Sequence, residues 1–217
     1  MDIWNFLRGV IVWAPPAILA ITLHEAAHGY VAKHFGDKTA YILGRMTLNP
    51  IKHIDLIGTI LVPLVIGFAT QWKFLFGWAK PVPVNFNNLR HPKRDMLWVA
   101  AAGPASNLVQ ALIWAVVARV LFGFEGAAVE YWFEMAEAGI LVNVIFAILN
   151  LLPILPLDGG RIVASLLPNK ASLVYQGTER YGMVILIVLI LTGLLGRVMS
   201  PLVLGALISI YSLFGLQ

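Results

Sequence analysis

Apolar positions in this chain come in long runs and not in strict alternation, a pattern that predicts helices of membrane-crossing length. The first run covers about residues 3–32. Pro15 and Pro16 interrupt it, and a kink or break is expected there because proline withholds a backbone N–H. A second run covers 54–76, with Gly58, Pro63 and Gly67 inside it. Further runs cover 96–122, 138–157, 181–195 and 198–216. Each crossing takes roughly 20 apolar residues, so the pattern predicts one bundle of five or six membrane segments. Between the first two runs, Gly44-Arg45 is placed to turn a short β-hairpin through Tyr41, Leu43 and Thr47. Residues 78–95 read as a proline-rich loop containing AKPVPVN, 125–137 as an acidic loop, and 162–180 as a partly polar link. The expected fold is an all-α polytopic membrane protein, a single domain over 1–217, with a short β-hairpin and a possible re-entrant segment.

Composition strengthens this picture. Hydrophobic residues make up 59% of the 217 residues and charged residues 12%, with a mean hydropathy of +0.83. Soluble domains carry about 25% charged residues, so a lipid bilayer is the expected surrounding. Cysteine is absent, which removes disulfides, thiolate metal sites and a cysteine nucleophile. The net charge of +4 sits at segment ends, where it reports topology, and no nucleic-acid partner is expected. The first run lacks a basic leader and carries His and Glu, so it reads as a retained segment and not a cleaved signal.

Charge also orients the segments. Lys33, Lys38, Arg45 and Lys52 follow the first run, and Lys73, Lys80, Arg90, Lys93 and Arg94 follow the second. Arg161, Lys170 and Arg180 follow the 138–157 run, whereas Glu125, Glu130, Glu134 and Glu137 precede it. The positive-inside rule places the basic loops in the cytoplasm and the acidic loop outside. Both flanks of 54–76 are basic, so one arrangement lets that segment dip into the membrane and return, sheltered by protein. That gives five spans; the alternative is six. Trp72, Trp78 and Trp98 lie near expected membrane edges, consistent with an aromatic belt.

Candidate chemistry begins with His24-Glu25-Ala26-Ala27-His28, an H-E-x-x-H sequence. On a helix, positions i and i+4 share a face, so both imidazoles reach one metal ion. Glu25 is then placed to take a proton from the attacking water. Ionisable groups at membrane depth are costly, which favours a functional reading over a packed histidine pair. A catalytic zinc site needs a third protein ligand. Most carboxylates lie in the acidic loop or beside basic residues at segment edges. Asp158 differs: it ends the apolar run NVIFAILNLLPILPL, after Pro153 and Pro156, which would unwind the helix. The other reading of Asp158 is a helix C-terminal turn capped by Gly159 and Gly160, and spacing alone leaves both open.

HEAAH at 24–28, GPASN at 103–107 and NLLPILPLDGGR at 150–161 together resemble the site-2 protease family of intramembrane zinc metalloproteases. NPIKHID at 49–55 and AKPVPVN at 79–85 look like further marks of its compact prokaryotic members. The resemblance implies a zinc-dependent endopeptidase, one Zn2+ per chain, that cuts transmembrane protein or peptide substrates within the bilayer. His24, His28 and Asp158 would be the metal ligands and Glu25 the acid/base. It also implies a prokaryotic cell-membrane location, and the charge pattern places the active site within the bilayer toward the cytoplasmic side. Family members often carry a PDZ or cystathionine-synthase-type domain, for which this chain has no room. By the same resemblance Asn150 is a candidate catalytic amide, stabilising an oxyanion or holding substrate backbone. Asn107 and Asn143 read as interhelical glue, and Gly103 to Ser106 as packing residues. His34, His53 and His91 are expected to be solvated or off the ligand face. The rival functions are a membrane metal transporter, which usually shows internal repeats that are absent here, and an inactive protease-like scaffold.

Overall fold

The computed structural model describes residues 3–69, 77 and 79–216, and every regular element among them is helical. Helix α1 (Ile3–His34) runs through Pro15 and Pro16 without a break. Its packing explains the continuity: Pro16 is fully buried, and Val12 packs with Met135 and Ala138. A short turn of helix, α2 (Thr39–Ile42), follows. Here the expected β-hairpin is not formed. Gly44 adopts φ 62°, and the N–H groups of Gly44 and Arg45 return to Tyr41 O and Ala40 O. The backbone donors that a hairpin would need therefore close a helical turn.

The 54–76 run is described as far as residue 69. Asp55 accepts from the N–H groups of Ile57 and Gly58 at 3.1 and 2.7 Å, capping a π-helical turn (Leu56–Leu61) that leads into α3 (Val62–Ala69). These elements of six and eight residues rise about 21 Å, short of the roughly 30 Å hydrocarbon core. The rest of this run lies outside the described residues, as do Trp72 and Trp78.

Helix α4 (Pro92–Leu121) starts earlier than its apolar run because Pro92 suits a first turn and Asp95 accepts the N–H of His91 at 2.8 Å. Helix α5 (Ala127–Asn150) also starts early, so Glu130, Glu134 and Glu137 sit on a helix and not in a loop. Arg8 of α1 reaches Glu134 Oε1 at 2.5 Å and Glu130 at 3.6 Å. Residues 151–157 are irregular, and α6 (Asp158–Leu166), α7 (Asn169–Gln176), α8 (Glu179–Leu191) and α9 (Leu194–Phe214) complete the order.

Four helices, α1, α4, α5 and α9, are long and apolar enough to cross a bilayer. A fifth crossing exists only if α7 and α8, bent by 59°, count as one span. The five or six expected segments are thus four or five among the described residues. The reason is length: the 13 residues of α8 rise about 20 Å.

The core lies between α1, α4 and α5. Ala111, Ala115 and Ala118 of α4 meet Ala136, Ile140 and Val144 of α5, with Ile210 of α9 closing the seam. Alanines let the backbones approach closely. Gly139 serves the same end, since a Cβ there would strike the Trp114 ring at 2.5 Å. Arg8 joins the start of α1 to the start of α5, while Ala32 at the other end of α1 packs with Met96, Val99 and Ala164. Helices α1 and α5 therefore run parallel, with α4 antiparallel to both. The basic loops gather at the end where α1 and α5 finish.

Gly182 of α8 lies against the Leu155 carbonyl, where an added Cβ would collide with backbone, whereas Gly205 of α9 faces open space. Gly182→Ala should therefore lower stability by about 1–3 kcal/mol, and Gly205→Ala should leave it nearly unchanged. Thermal unfolding in detergent measures both, and equal midpoints would show that α8 does not dock on the 151–157 loop.

Candidate metal centre

His24 and His28 project from the second half of α1, one turn apart, with ring centroids 4.7 Å apart. Asp158 is the first residue of α6 and not a helix C-terminus. There the positive end of the helix dipole favours its carboxylate. Gly159 and Gly160 have a different job from capping. A Cβ on Gly159 would strike the Leu151 and Leu152 carbonyls, and one on Gly160 would meet Leu155 N at 2.5 Å. Their bareness lets the irregular loop fold back over the first turn of α6. That turn carries Asp158 to the two histidines.

The three ligand atoms form a nearly equilateral triangle. His24 Nε2 and His28 Nε2 are 3.1 Å apart, and Asp158 Oδ2 lies 3.2 and 3.3 Å from them. All three residues are buried. For tetrahedral zinc with bonds near 2.0–2.1 Å, neighbouring ligand atoms stand about 3.3–3.4 Å apart. The triangle matches that edge length.

Protonation is fixed from behind. The Val99 carbonyl of α4 can only accept, so His28 Nδ1, 2.7 Å away, must donate to it. Asn143 donates its amide N–H to Gly139 O at 2.9 Å, which leaves its Oδ1 to accept from Asn107. The amide nitrogen of Asn107 gives to Asn143 Oδ1 and to Ala20 O, at 2.9 and 3.1 Å. Asn107 Oδ1 therefore faces His24 Nδ1 at 2.7 Å, and that nitrogen must carry its proton. In the neutral imidazoles both Nε2 atoms then present lone pairs toward Asp158 Oδ2. With both imidazoles neutral, no donor is left for Asp158 Oδ2, which is buried without a hydrogen-bond partner. A divalent cation among the three satisfies all of them at once. Backing of ligand histidines by a second hydrogen bond is the usual way their orientation is set.

Glu25 is half-buried beside this triangle in sequence, and its Oε2 accepts the Val82 N–H at 2.6 Å. Asn150, the last residue of α5, donates its amide to Phe146 O at 3.0 Å, within its own helix. His91 is exposed as expected, and His34, expected off the ligand face, is exposed too. His53 is not solvated: it is 3% exposed and gives Nε2–H to Thr47 O at 2.9 Å. The 47–53 turn and the segment from Lys80, whose N–H bonds His53 O, fold over it.

Two residues matter more than the sequence indicated. Asn107 binds helices together, as expected, but it also orients His24. Gly103 does more than let helices pack closely: a Cβ there would lie 2.5 Å from His24 Cε1 and His28 Nε2, within the ligand cluster. The available signal was their spacing, since Gly103 and Asn107 are one turn apart in the apolar middle of α4.

Among known proteins, the chain is 40% identical over 204 residues to "Putative zinc metalloprotease YwhC" of Bacillus subtilis, covering 91% of this chain and 88% of that one. The chain belongs to peptidase family M50. The family's sequence profile matches residues 124–194, a stretch that contains α5 and Asp158. Two less similar relatives extend well beyond the match. "Putative zinc metalloprotease Rip2" of Mycolicibacterium smegmatis is 30% identical, over 83% of this chain and 66% of its own. "Zinc metalloprotease MJ0392" of Methanocaldococcus jannaschii is 24% identical, over 98% of this chain and 51% of its own. No solved structure gives a significant match. Membership of M50 and four apolar helices of spanning length make this an integral membrane protein of the site-2 protease family.

Asn107→Leu should weaken zinc binding about 10–100-fold, the usual cost of losing a partner behind a ligand histidine. Gly103→Ala should weaken it at least as much by forcing the imidazoles apart. Competition with a chromogenic chelator reads both; unchanged affinity in either would show that α4 does not support the ligands.

Proposed function

We propose that the protein is a zinc-dependent intramembrane endopeptidase, holding one Zn2+ per chain between His24, His28 and Asp158. The ligand triangle, with each histidine Nδ1 hydrogen-bonded away from it, is the single observation that carries this reading. The word zinc in the relatives' names supports the choice of metal, and two nitrogens with one carboxylate oxygen suit it.

A bound zinc ion supplies Lewis acidity at this point, lowering the pKa of a water and polarising a scissile carbonyl. The chain's own groups do the rest. Glu25 accepts the proton of the attacking water and passes it to the leaving amine. Asn107 and the Val99 carbonyl keep both imidazoles in the ligating tautomer. Asn150 leaves the Phe146 carbonyl and offers its amide to the oxyanion or to substrate backbone. The buried setting keeps bulk water away and strengthens each of these interactions.

The substrate is a transmembrane segment of a membrane-anchored protein or peptide, locally unwound, because a helical carbonyl is already hydrogen-bonded. Membrane-anchored regulators and signal-peptide remnants are of this class. The ligand end of the bundle is also the end with the basic loops, and by the positive-inside rule that end is cytoplasmic. The site then lies inside the bilayer of a prokaryotic cell membrane, toward the cytoplasmic face.

Glu25→Gln should keep one zinc per chain and lose cleavage of a model transmembrane substrate by about 10²–10⁴-fold, the range for a lost general base. Asp158→Ala should lose both zinc and cleavage. Metal analysis and a gel-based cleavage assay on purified protein measure this pair, and cleavage persisting in Glu25→Gln would sink the mechanism. Zinc flux into liposomes with no cleavage by wild type would favour a transporter.

A further inference from the structure

The AKPVPVN stretch crosses the ligand end of α1 as a non-helical strap over residues 79–85. Its backbone is tied at three places. At one end, Lys80 gives its N–H to His53 O at 2.8 Å, and Arg45 Nη2 bonds the Lys80 and Pro81 carbonyls at 3.0 and 3.3 Å. At the other end, Asn85 gives its N–H to Asp37 Oδ2 at 2.7 Å. That carboxylate is itself held by Thr39 and Asn88. In the middle, the Val82 N–H meets Glu25 Oε2 at 2.6 Å. Val82 is 6% exposed, and its Cγ1 would stand 3.2 Å from a Cβ on Gly29, so the strap lies directly against α1.

Pro81 and Pro83 carry no N–H. The Val82 N–H is therefore the one backbone donor across 81–83, and it is spent on Glu25. The two prolines also fix φ on either side of it, so the donor is aimed before Glu25 arrives. We infer that the Val82 main-chain N–H is a positioning group for Glu25, presented by a proline-flanked strap that Arg45 and Asp37 hold in place. This rests on the proton-transfer role proposed for Glu25. A glutamate side chain has several rotatable bonds, and a charge-assisted bond to one oxygen selects one rotamer. Oε1 is left for the proton. From the Lys80 N–H to the Val82 N–H, the strap's backbone groups are already occupied by His53, Arg45 and Glu25.

Replacing the Pro81–Val82 amide by an ester, through incorporation of the α-hydroxy analogue of valine at position 82, removes that N–H and keeps the side chain. The expected result is a fall in kcat of roughly 10–100-fold, the scale of a misplaced catalytic group, with KM within about 2-fold and zinc content unchanged. Arg45→Met, which frees the strap but keeps the N–H, should lower kcat less and again spare KM. Independently of activity, the Val82 amide proton in 15N-valine-labelled protein should resonate far downfield and move upfield in Glu25→Gln. Wild-type kcat in the folded, zinc-loaded ester variant would overturn the inference, as would a Val82 resonance indifferent to Glu25→Gln. Cleavage by Glu25→Gln itself would instead overturn the proposed function, so the two failures are distinguishable.

Discussion

Two imidazole nitrogens and a carboxylate oxygen are held about 3.2 Å apart in the buried interior of this protein, and with both imidazoles neutral all three present lone pairs to one another. In isolation such an arrangement is repulsive, and low surrounding polarity makes the repulsion worse. It persists because each atom is fixed by something other than its neighbours. His28 is fixed by a backbone carbonyl of α4, His24 by an amide chain through Asn107 and Asn143, and Asp158 by the first turn of α6. The site is a set of constraints that a cation relieves.

Those constraints determine much of the helix arrangement. Parallel α1 and α5 bring residue 28 and the α5 exit to the same level, and antiparallel α4 brings Val99, Gly103 and Asn107 beside them. Close approach is needed at each contact, and small residues supply it: the alanine seam between α4 and α5, Gly139 against Trp114, and Gly103 against the histidines. The irregular 151–157 loop can lie on α6 only because residues 159 and 160 lack side chains. Glycines here are placed by what they touch, and the helices could not converge on one point otherwise.

The sequence carried the parts of this that depend on local spacing. HEAAH declares two ligands because the helical period puts residues 24 and 28 on one face. Asp158 stood out because carboxylates are scarce in an apolar chain. Spacing could not show whether it ended a helix or began one. The hairpin expectation failed because Gly44 suits a helical turn ending as well as a hairpin turn, and only the chain around it decides. Glu130, Glu134 and Glu137 looked like a loop because their polarity masked their helical spacing, which Arg8 exploits from another helix. His53 looked solvated because its cover comes from Lys80, 27 positions away in sequence. Contacts made by backbone atoms, such as Val99 O and Val82 N, leave no trace in residue identity at all.

Asn107 shows why glue and chemistry cannot be separated in such a chain. A buried amide in an apolar bundle must satisfy both its nitrogen and its oxygen, since no water competes to do so. The nitrogen bonds α1 and α5, which by itself is ordinary interhelical adhesion. Satisfying it leaves the oxygen only one orientation, and that orientation dictates where His24 keeps its proton. The tautomer of a metal ligand is thereby decided by the packing of three helices. A substitution that loosened the bundle would also misdirect the ligand, so fold and metal affinity are coupled through one side chain.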